Sequence, residues 1–249
     1  MTPVLDIRGL TVKFGEFVAV RDVSIGVQPG RIHSIIGPNG AGKTTLFNAL
    51  TGRVLPATGQ VLFDGADITR LPMHRRATIG IGRSFQVTSL FPSMTVRESL
   101  RLAGQPGLGL GFLGMFSRDR ALDAAEARAG ELLDFLSLAD VAGRKAGELS
   151  HGQQRRLEIG LALASRPKIV FLDEPTAGMG IDDIDAVRQL IRQVARTCTV
   201  VLIEHNMSIV MDISDTITVM FLGEVLVEGA PELVRADHRV QQAYLGEAA

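Results

Sequence analysis

The sequence is poor in residues that carry redox chemistry. Among its 249 residues there is one cysteine, one tyrosine and no tryptophan. A single cysteine excludes a disulfide bond within the chain. Cys198 falls in the segment Thr197–Glu204, whose apolar run predicts a buried strand. We therefore expect a packed thiol rather than a reactive one.

A surplus of one charge and long apolar runs are also missing. Lys and Arg number 26 against 27 Asp and Glu, so the formal net charge is −1. Without clustered cations, nucleic acid and an anionic membrane surface are not expected as main partners. No stretch approaches the ~20 apolar residues that span a bilayer, and Met1–Arg8 lacks the pattern of a secretory signal. We expect a soluble, intracellular protein, and its 46% of hydrophobic residues suffice for a sizeable core.

A glycine-rich loop with the pattern G-x-x-x-x-G-K-[ST] follows the apolar strand predicted over Ile32–Ile36 and precedes a helix predicted over Thr44–Leu50. This order lets the loop N–H groups and the helix N-terminus face one anion. Chance is the alternative explanation, and the strand-to-helix context argues against it. Lys43 is expected to neutralise the β- and γ-phosphates of a nucleotide, and the Thr44 hydroxyl to bind Mg²⁺. The residues predicted to bind the nucleotide here are Gly37, Pro38, Asn39, Gly40, Ala41, Gly42, Lys43, Thr44 and Thr45.

Short strands flank this loop. Val4–Ile7, Leu10–Val12 and Val23–Val27 predict a small antiparallel sheet, and Gln60–Gly65 predicts another strand and turn. Phe14 stands at a predicted strand end, where its ring either stacks on a purine or packs as an ordinary core phenylalanine. The residues alone do not decide between the two.

The middle of the chain is predicted to be mostly helical. Pro72–Gly82 is predicted to be helical and basic, and another helix is predicted to start at Thr95, with Glu98 as its capping-box partner. Ala121–Leu136 has helical periodicity. Gly104–Gly114 contains five glycines. A flexible surface insert is the simpler interpretation of it, and a docking patch for an apolar partner is the alternative.

Another predicted helix begins with a capping box formed by Ser150 and Gln153. The N-terminus of a helix is a possible second anion site. Capping alone also explains these residues, so the motif is weak evidence by itself.

Two carboxylates end an apolar strand that is predicted to start at Lys168. Asp173 can bind Mg²⁺ while Glu174 addresses a water molecule, and Pro175 then stops the strand. A solvated acidic turn is the alternative. This alternative is disfavoured if the glycine-rich loop Gly37–Thr44, called the phosphate loop below, binds a nucleotide, because a nucleotide site needs such carboxylates.

A second polar group follows the next predicted strand, Thr199–Ile203, and includes His205. Ligands gather at the carboxyl ends of strands in open α/β sheets, so these side chains should lie close together. His33 lies inside a strand and is a poorer candidate. The residues expected to cluster are Lys43, Asp173, Glu174 and His205.

In this order, the motifs resemble those of the ATP-binding subunits of ABC transporters, along essentially the whole chain. The phosphate loop looks like the Walker A motif, Ile169–Glu174 like Walker B, and Leu149–Gln153, with the sequence LSHGQ, like the signature. Gln86 matches the Q-loop glutamine and His205 the switch histidine. Phe14 matches the aromatic residue that stacks on adenine in this family.

The resemblance implies an α/β fold of the P-loop NTPase (RecA-like) type. A parallel core would carry an N-terminal antiparallel β subdomain and a helical subdomain. One ABC domain would span residues 1–249, with 1–86 and 155–249 forming the nucleotide-binding core and 87–154 the helical subdomain that carries the signature.

The resemblance further implies a head-to-tail pair of subunits, with ATP and Mg²⁺ between the phosphate loop of one and the signature of the other. The expected catalytic residues are Glu174, which activates water, His205, which holds the γ-phosphate, and Gln86, which senses the metal and the water. The signature residues implied at the nucleotide are Ser150, Gly152 and Gln153. The residues implied at the metal are Thr44, Gln86 and Asp173.

Several partners follow from the same resemblance. The second ATPase subunit is either the same chain or a homologue. A transmembrane permease would dock beside Gln86 and the region from about Val87 to Gly147, and an external substrate-binding protein would act indirectly. The expected location is peripheral, at the cytoplasmic face of the cell (inner) membrane.

Within the family, Gly80–Gln86, Leu157–Gly160 and Ala243–Glu247 look most like importers of branched-chain amino acids. Urea and short-amide importers share much of this pattern, and a soluble ABC-type ATPase that remodels ribosomes or DNA is an alternative of another class. The chain departs from the family at His151, where most members have glycine, and at Gly180, where aspartate is common.

Overall fold

Ten strands, nine α-helices and two short 3₁₀ helices make up the described part of a computed structural model, which covers residues 2–84, 91–105 and 118–245. The strands are β1 (Leu5–Phe14), β2 (Phe17–Val27), β3 (Ile32–Ile36), β4 (Thr58–Phe63), β5 (Ala66–Asp67), β6 (Ile81–Arg83), β7 (Ile169–Asp173), β8 (Thr199–Ile203), β9 (Thr216–Phe221) and β10 (Glu224–Gly229). The helices are α1 (Lys43–Leu50), α2 (Met73–Thr78), α3 (Val96–Ala103), α4 (Arg118–Phe135), α5 (His151–Leu163), α6 (Ile181–Ala195), α7 (Met207–Ile213), α8 (Pro231–Ala236) and α9 (His238–Leu245). Of these helices, none is long and apolar enough to cross a membrane.

The central sheet has six strands in the order β10-β9-β3-β8-β7-β6. Strands β9, β3, β8, β7 and β6 run parallel, and β10 forms an antiparallel hairpin with β9. Every residue of β3 and β8 is buried, which is typical of parallel strands covered on both faces. Because parallel strands point the same way, the loops that follow β3, β7 and β8 meet at one edge of the sheet.

The predicted antiparallel sheet is confirmed, with the order β2-β1-β4-β5. Its strands are longer than predicted. β1 is continuous over ten residues, although its register with β2 shifts around Gly9, where φ is 55°. β2 starts at Phe17 rather than Val23. Register shifts interrupt the strict alternation of apolar and polar residues, so the periodicity alone splits one strand and shortens the other.

The prediction of helix over Pro72–Gly82 was wrong for its second half. Helix α2 ends at Thr78, Gly80 turns the chain with φ 104°, and residues 81–83 form β6. This strand pairs in parallel with β7. Three residues are too few to show a period of two, so only the pairing with β7 reveals the strand.

The helical part of the chain shares a hydrophobic core with the central sheet. The capping box of Thr95 and Glu98 is formed at the start of α3, as predicted. Leu100 of α3 and Leu132 of α4 belong to the same buried cluster as Leu202 of β8. The subdomain boundaries at 86/87 and 154/155 therefore stay predictions. Most of the glycine-rich segment 104–114 lies outside the described residues.

Cys198 precedes β8 directly and is buried. Burial raises the pKa of its thiol to about 11. The thiol is therefore protonated at neutral pH, and the predicted packed cysteine is confirmed.

Candidate nucleotide site

The phosphate loop joins β3 to α1, and two of its glycines are required by close backbone contacts. Gly37 has φ 150°, and a Cβ there would lie 2.2 Å from the carbonyl oxygen of Met220. Gly42, the N-cap of α1, has φ 95°, and a Cβ there would lie 2.5 Å from the carbonyl oxygen of Ala19. Only glycine fits both positions. Strands β2 and β9 therefore help to shape the loop.

Lys43 places a buried positive charge against this loop. Its side chain is 6% exposed, and Nζ donates to the carbonyl oxygens of Gly37 at 2.6 Å and Pro38 at 2.8 Å. Helix α1 has no acidic residue in its first turn. The ammonium group and the helix N-terminus therefore both favour an anion at this point.

Glu174 and His205 are in direct contact at the edge of the sheet. The Nε2 atom of His205 lies 2.5 Å from Oε1 of Glu174. Glu174 has φ 47°, a costly conformation for a residue other than glycine, and its N–H donates to the carbonyl oxygen of Ile203 at 2.9 Å. Backbone strain of this kind is concentrated at functional sites. The structure thus brings together the two polar groups that follow β7 and β8.

Asp173 is the last residue of β7 and is half-buried. Its N–H donates to Oγ of Ser84 at 3.2 Å. Burial raises the pKa of its carboxyl group, and the charge of Glu174 raises it further, while Arg83, Arg155 and His205 act in the opposite direction. The protein's own cations therefore compensate this carboxylate incompletely, which favours the binding of an additional cation.

Glu204 connects the loop after β7 with the loop after β8, although no sequence pattern predicted a role for it. It is 3% exposed. One carboxylate oxygen accepts hydrogen bonds from the N–H and hydroxyl groups of Thr176, and the other accepts from the N–H groups of His205 and Asn206. Its position next to His205 was the only available sequence signal.

The predicted capping box at the start of α5 is present. The Gln153 N–H donates to Oγ of Ser150 at 3.3 Å, and the Ser150 N–H donates to Oε1 of Gln153 at 3.0 Å. The Nε2 atom of His151 lies 3.2 Å from the carbonyl oxygen of Ala177, which follows β7. Because a carbonyl only accepts, this contact assigns the ring hydrogen to Nε2. His151 thus links the signature to the loop after β7.

A side chain at Gly152 would meet the end of an exposed acidic side chain. A Cβ there would lie 2.4 Å from Oδ1 of Asp183 in α6. Any larger side chain would therefore displace the Asp183 carboxylate from the start of α5. The sequence could not predict this contact between residues 31 positions apart.

Two exposed aromatic rings lie at the turn between β1 and β2. Phe14 is 53% exposed and pairs across the turn with Phe17, which is 68% exposed. The alternative of an ordinary core residue is therefore wrong for Phe14. No sequence pattern singled out Phe17. Strand β2 runs from Phe17 through Ala19, whose carbonyl lies against Gly42, so the turn that carries both rings leads into a strand that borders the phosphate loop.

The structure therefore places all four predicted residues at the carboxyl ends of β3, β7 and β8: Lys43 starts α1 after β3, Asp173 ends β7, and Glu174 and His205 lie on the loops after β7 and β8. Ser150, Gly152 and Gln153 lie at the start of α5. Gln86 lies outside the described residues.

Solved structures of similar fold identify the class of protein. An ATP-binding cassette of an ABC transporter in its ADP conformation has a TM-score of 0.86 and 35% identity, with 99% of this chain and 100% of that chain covered. A nucleotide-free cassette from an ABC transporter has a TM-score of 0.84 and 34% identity, with coverage of 97% and 98%. A dimeric cassette in a post-hydrolysis state with ADP and Pi has a TM-score of 0.76 and 27% identity, with coverage of 91% and 98%. The predicted α/β fold is confirmed, and the site is that of a nucleotide-binding ATPase cassette.

Sequence relatives identify the family. The ABC transporter family matches residues 20–177, and the branched-chain amino acid ATP-binding cassette transporter family matches residues 224–249. The high-affinity branched-chain amino acid transport ATP-binding protein BraF of Pseudomonas aeruginosa is 43% identical, and 99% of each chain is covered. LivG of Escherichia coli K12, which has the same description, is 41% identical with the same coverage. The chain belongs to the ABC transporter family, as an ATP-binding subunit.

Proposed function

We propose that this chain hydrolyses ATP to drive an importer of branched-chain amino acids. Two relatives named for this transport match it along nearly its whole length. The match of residues 224–249 to the branched-chain amino acid family supports the same substrate class. The alternatives of a urea or short-amide importer and of a soluble, non-transport ATPase have no comparable support.

The contact between Glu174 and His205 carries the proposal of hydrolysis. A carboxylate 2.5 Å from an imidazole, on loops next to the phosphate loop, suits a base that orients or deprotonates the attacking water. His205 then holds the γ-phosphate, while Lys43 and the N–H groups of the phosphate loop neutralise the triphosphate. Phe14 stacks on adenine. Gln86 is assigned to sensing the metal and the water on its sequence match alone.

The side chains available at the site suit Mg²⁺, which also binds phosphates and water, better than a metal ion coordinated by protein alone. Among the described residues, no three His, Cys, Asp or Glu side chains group into a metal site. Mg²⁺ is usually bound by one or two carboxylates together with substrate phosphates and water. Asp173, with its incompletely compensated charge, and the exposed Thr44 hydroxyl suit this arrangement. When bound, the ion would neutralise charge on the phosphates.

A complete site is proposed to need two subunits. Ser150, Gly152 and Gln153 of the partner subunit would contact the nucleotide that the phosphate loop of this chain holds. The similar cassette that is dimeric with ADP and Pi supports this arrangement. The partner is the same chain or a homologue. The pair would bind a transmembrane permease at the cytoplasmic face of the cell membrane, and an external binding protein would supply the substrate.

Purification of the chain with its membrane partners tests this function. A tagged chain from detergent-solubilised membranes should bring a multi-span permease with it. In proteoliposomes that contain this complex and its external binding protein, leucine should raise the rate of ATP hydrolysis and urea should not. Purification without any membrane protein would contradict the transport function, and stimulation by urea alone would contradict the substrate class.

A further inference from the structure

Glu204 is a buried carboxylate whose four hydrogen-bond partners are all donors. Oε1 accepts from the Thr176 N–H at 2.9 Å and from the Thr176 hydroxyl at 2.5 Å. Oε2 accepts from the N–H groups of His205 at 3.0 Å and Asn206 at 3.4 Å. A carboxylate that spans two loops in this way holds their backbones at a set distance.

These bonds bracket the contact between the two proposed catalytic side chains. Thr176 lies two residues after Glu174, and Glu204 directly precedes His205. The Glu174 N–H bond to Ile203 ties the same loops at a second point. The connected residues form a ring: Glu174, Thr176, Glu204 and His205, closed by the contact of His205 with Glu174.

The energetics favour a geometric role over a stabilising one. Burial of a charge is costly unless it is paired, and the described residues include no ion pair of Glu204 with a cation. Neutral donors alone compensate it. An apolar side chain would fill the position at lower cost. A carboxylate at this point is explained by the need to bind both loops at once.

We propose that Glu204 is a positioning residue that sets the distance between Glu174 and His205 for hydrolysis. The inference rests on the proposed function, because it assumes that these two side chains act on the γ-phosphate and the attacking water. Glu204 itself touches neither.

The substitution Glu204→Gln tests this role with little change in shape. An amide accepts only through its oxygen, so its NH₂ group would face the donors of one loop. A displacement of about 1 Å at a catalytic group costs on the order of 100-fold in rate. We therefore expect kcat to fall about 10- to 100-fold per ATP-binding site, with the dissociation constant for ATP changed by no more than about twofold, since the phosphate loop is untouched. Glu232→Gln, on α8, removes the same charge at an exposed position and should leave both values unchanged.

A double-mutant cycle with His205→Ala separates positioning from general stability. If Glu204 acts through His205, Glu204→Gln should lower kcat little further once His205 is absent. Should the two losses multiply, or should Glu204→Gln reduce only the thermal midpoint and the fraction of active sites, the positioning role is wrong.

A second pair of variants covers the case in which Glu204→Gln does not fold. Thr176→Ser keeps the hydroxyl bond to Glu204 and should retain kcat, whereas Thr176→Val removes it and should lower kcat with ATP binding intact. Equal kcat in the two would also refute the inference. If Glu174→Gln and His205→Ala themselves hydrolyse ATP normally, the proposed function fails instead, so the two failures are distinguishable.

Discussion

Glu174 occupies a left-handed backbone conformation beside the phosphate loop, where its carboxylate is proposed to act on the attacking water. Glu174→Gln removes the proposed base but leaves the residues proposed to hold the nucleotide. We expect kcat to fall at least about 100-fold, the usual contribution of a general base. ATP affinity, measured by isothermal titration calorimetry, should be unchanged. Near-normal hydrolysis by the variant would refute the role of Glu174.

Lys43 is proposed to bind the nucleotide rather than to take part in its hydrolysis. Lys43→Ala removes a charge that is held against the loop backbone by two hydrogen bonds. A hydrogen bond to a charged group is worth about 1.5–3 kcal/mol, so ATP affinity should fall about 10- to 100-fold. Calorimetry measures the change, and Lys145→Ala at an exposed position is the control of equal charge. An unchanged dissociation constant would count against the predicted phosphate site.

At the scale of elements, Arg76 fastens the end of α1 to the segment around α2. It is fully buried, and its guanidinium group donates five hydrogen bonds to backbone carbonyl oxygens. The acceptors are the carbonyl groups of Ala49, Leu50, Ile68, Thr69 and Leu71. Burial lowers the pKa of Arg76 to about 10, so it remains charged at neutral pH. Helix α1 thus receives at its C-terminus the positive charge that its own last turn lacks.

Substitution of this arginine should therefore destabilise the protein. Arg76→Met keeps an apolar stem but leaves five carbonyl groups without these donors. An unsatisfied buried group costs about 1–3 kcal/mol, so we expect a loss of at least ~3 kcal/mol in the free energy of unfolding. Urea denaturation measures it. Arg75→Met, at the exposed neighbouring position, should change the stability by less than about 0.5 kcal/mol. Similar losses in both variants would contradict this role.

At the scale of the whole molecule, His33 makes the stability of the fold depend on pH. It is buried in β3, and Nε2 lies 2.7 Å from Oγ1 of Thr218, which donates to the carboxylate of Glu228. Because the Thr218 hydroxyl donates to Glu228, it accepts from His33, whose neutral ring therefore carries its hydrogen on Nε2. Burial lowers the pKa of His33 to about 4 from its ordinary value of 6.5.

The lowered pKa of His33 makes the folded state less stable at low pH. Between pH 6.5 and about 4 the unfolded state binds a proton at His33 and the folded state does not, so stability falls as the pH falls. The loss by pH 4 is about 3 kcal/mol, at 1.36 kcal/mol for each pH unit. In urea denaturation from pH 4.5 to 7.5, the free energy of unfolding of His33→Gln should depend less on pH than that of the parent, whatever stability the altered packing costs at pH 7. The exposed His74→Gln is the control, and parallel curves for the parent and His33→Gln would contradict the prediction.

The sequence alone determined the features that a continuous stretch encodes. The phosphate loop and its flanking strand and helix, the carboxylates after β7 and the two capping boxes follow from local spacing, because those residues act on their near neighbours in the chain. The buried strands β3, β7 and β8 also follow from the sequence, since buried parallel strands have a recognisable composition.

Only the tertiary structure decided the contacts between distant segments. Strand β6 depends on pairing with β7, the five bonds of Arg76 depend on the approach of α1, and Glu204 meets Thr176 across 28 positions. Sequence periodicity does not predict such contacts, because each depends on how separate elements pack. The sequence therefore predicted which residues could react with a nucleotide, while packing determined which residues hold them in place.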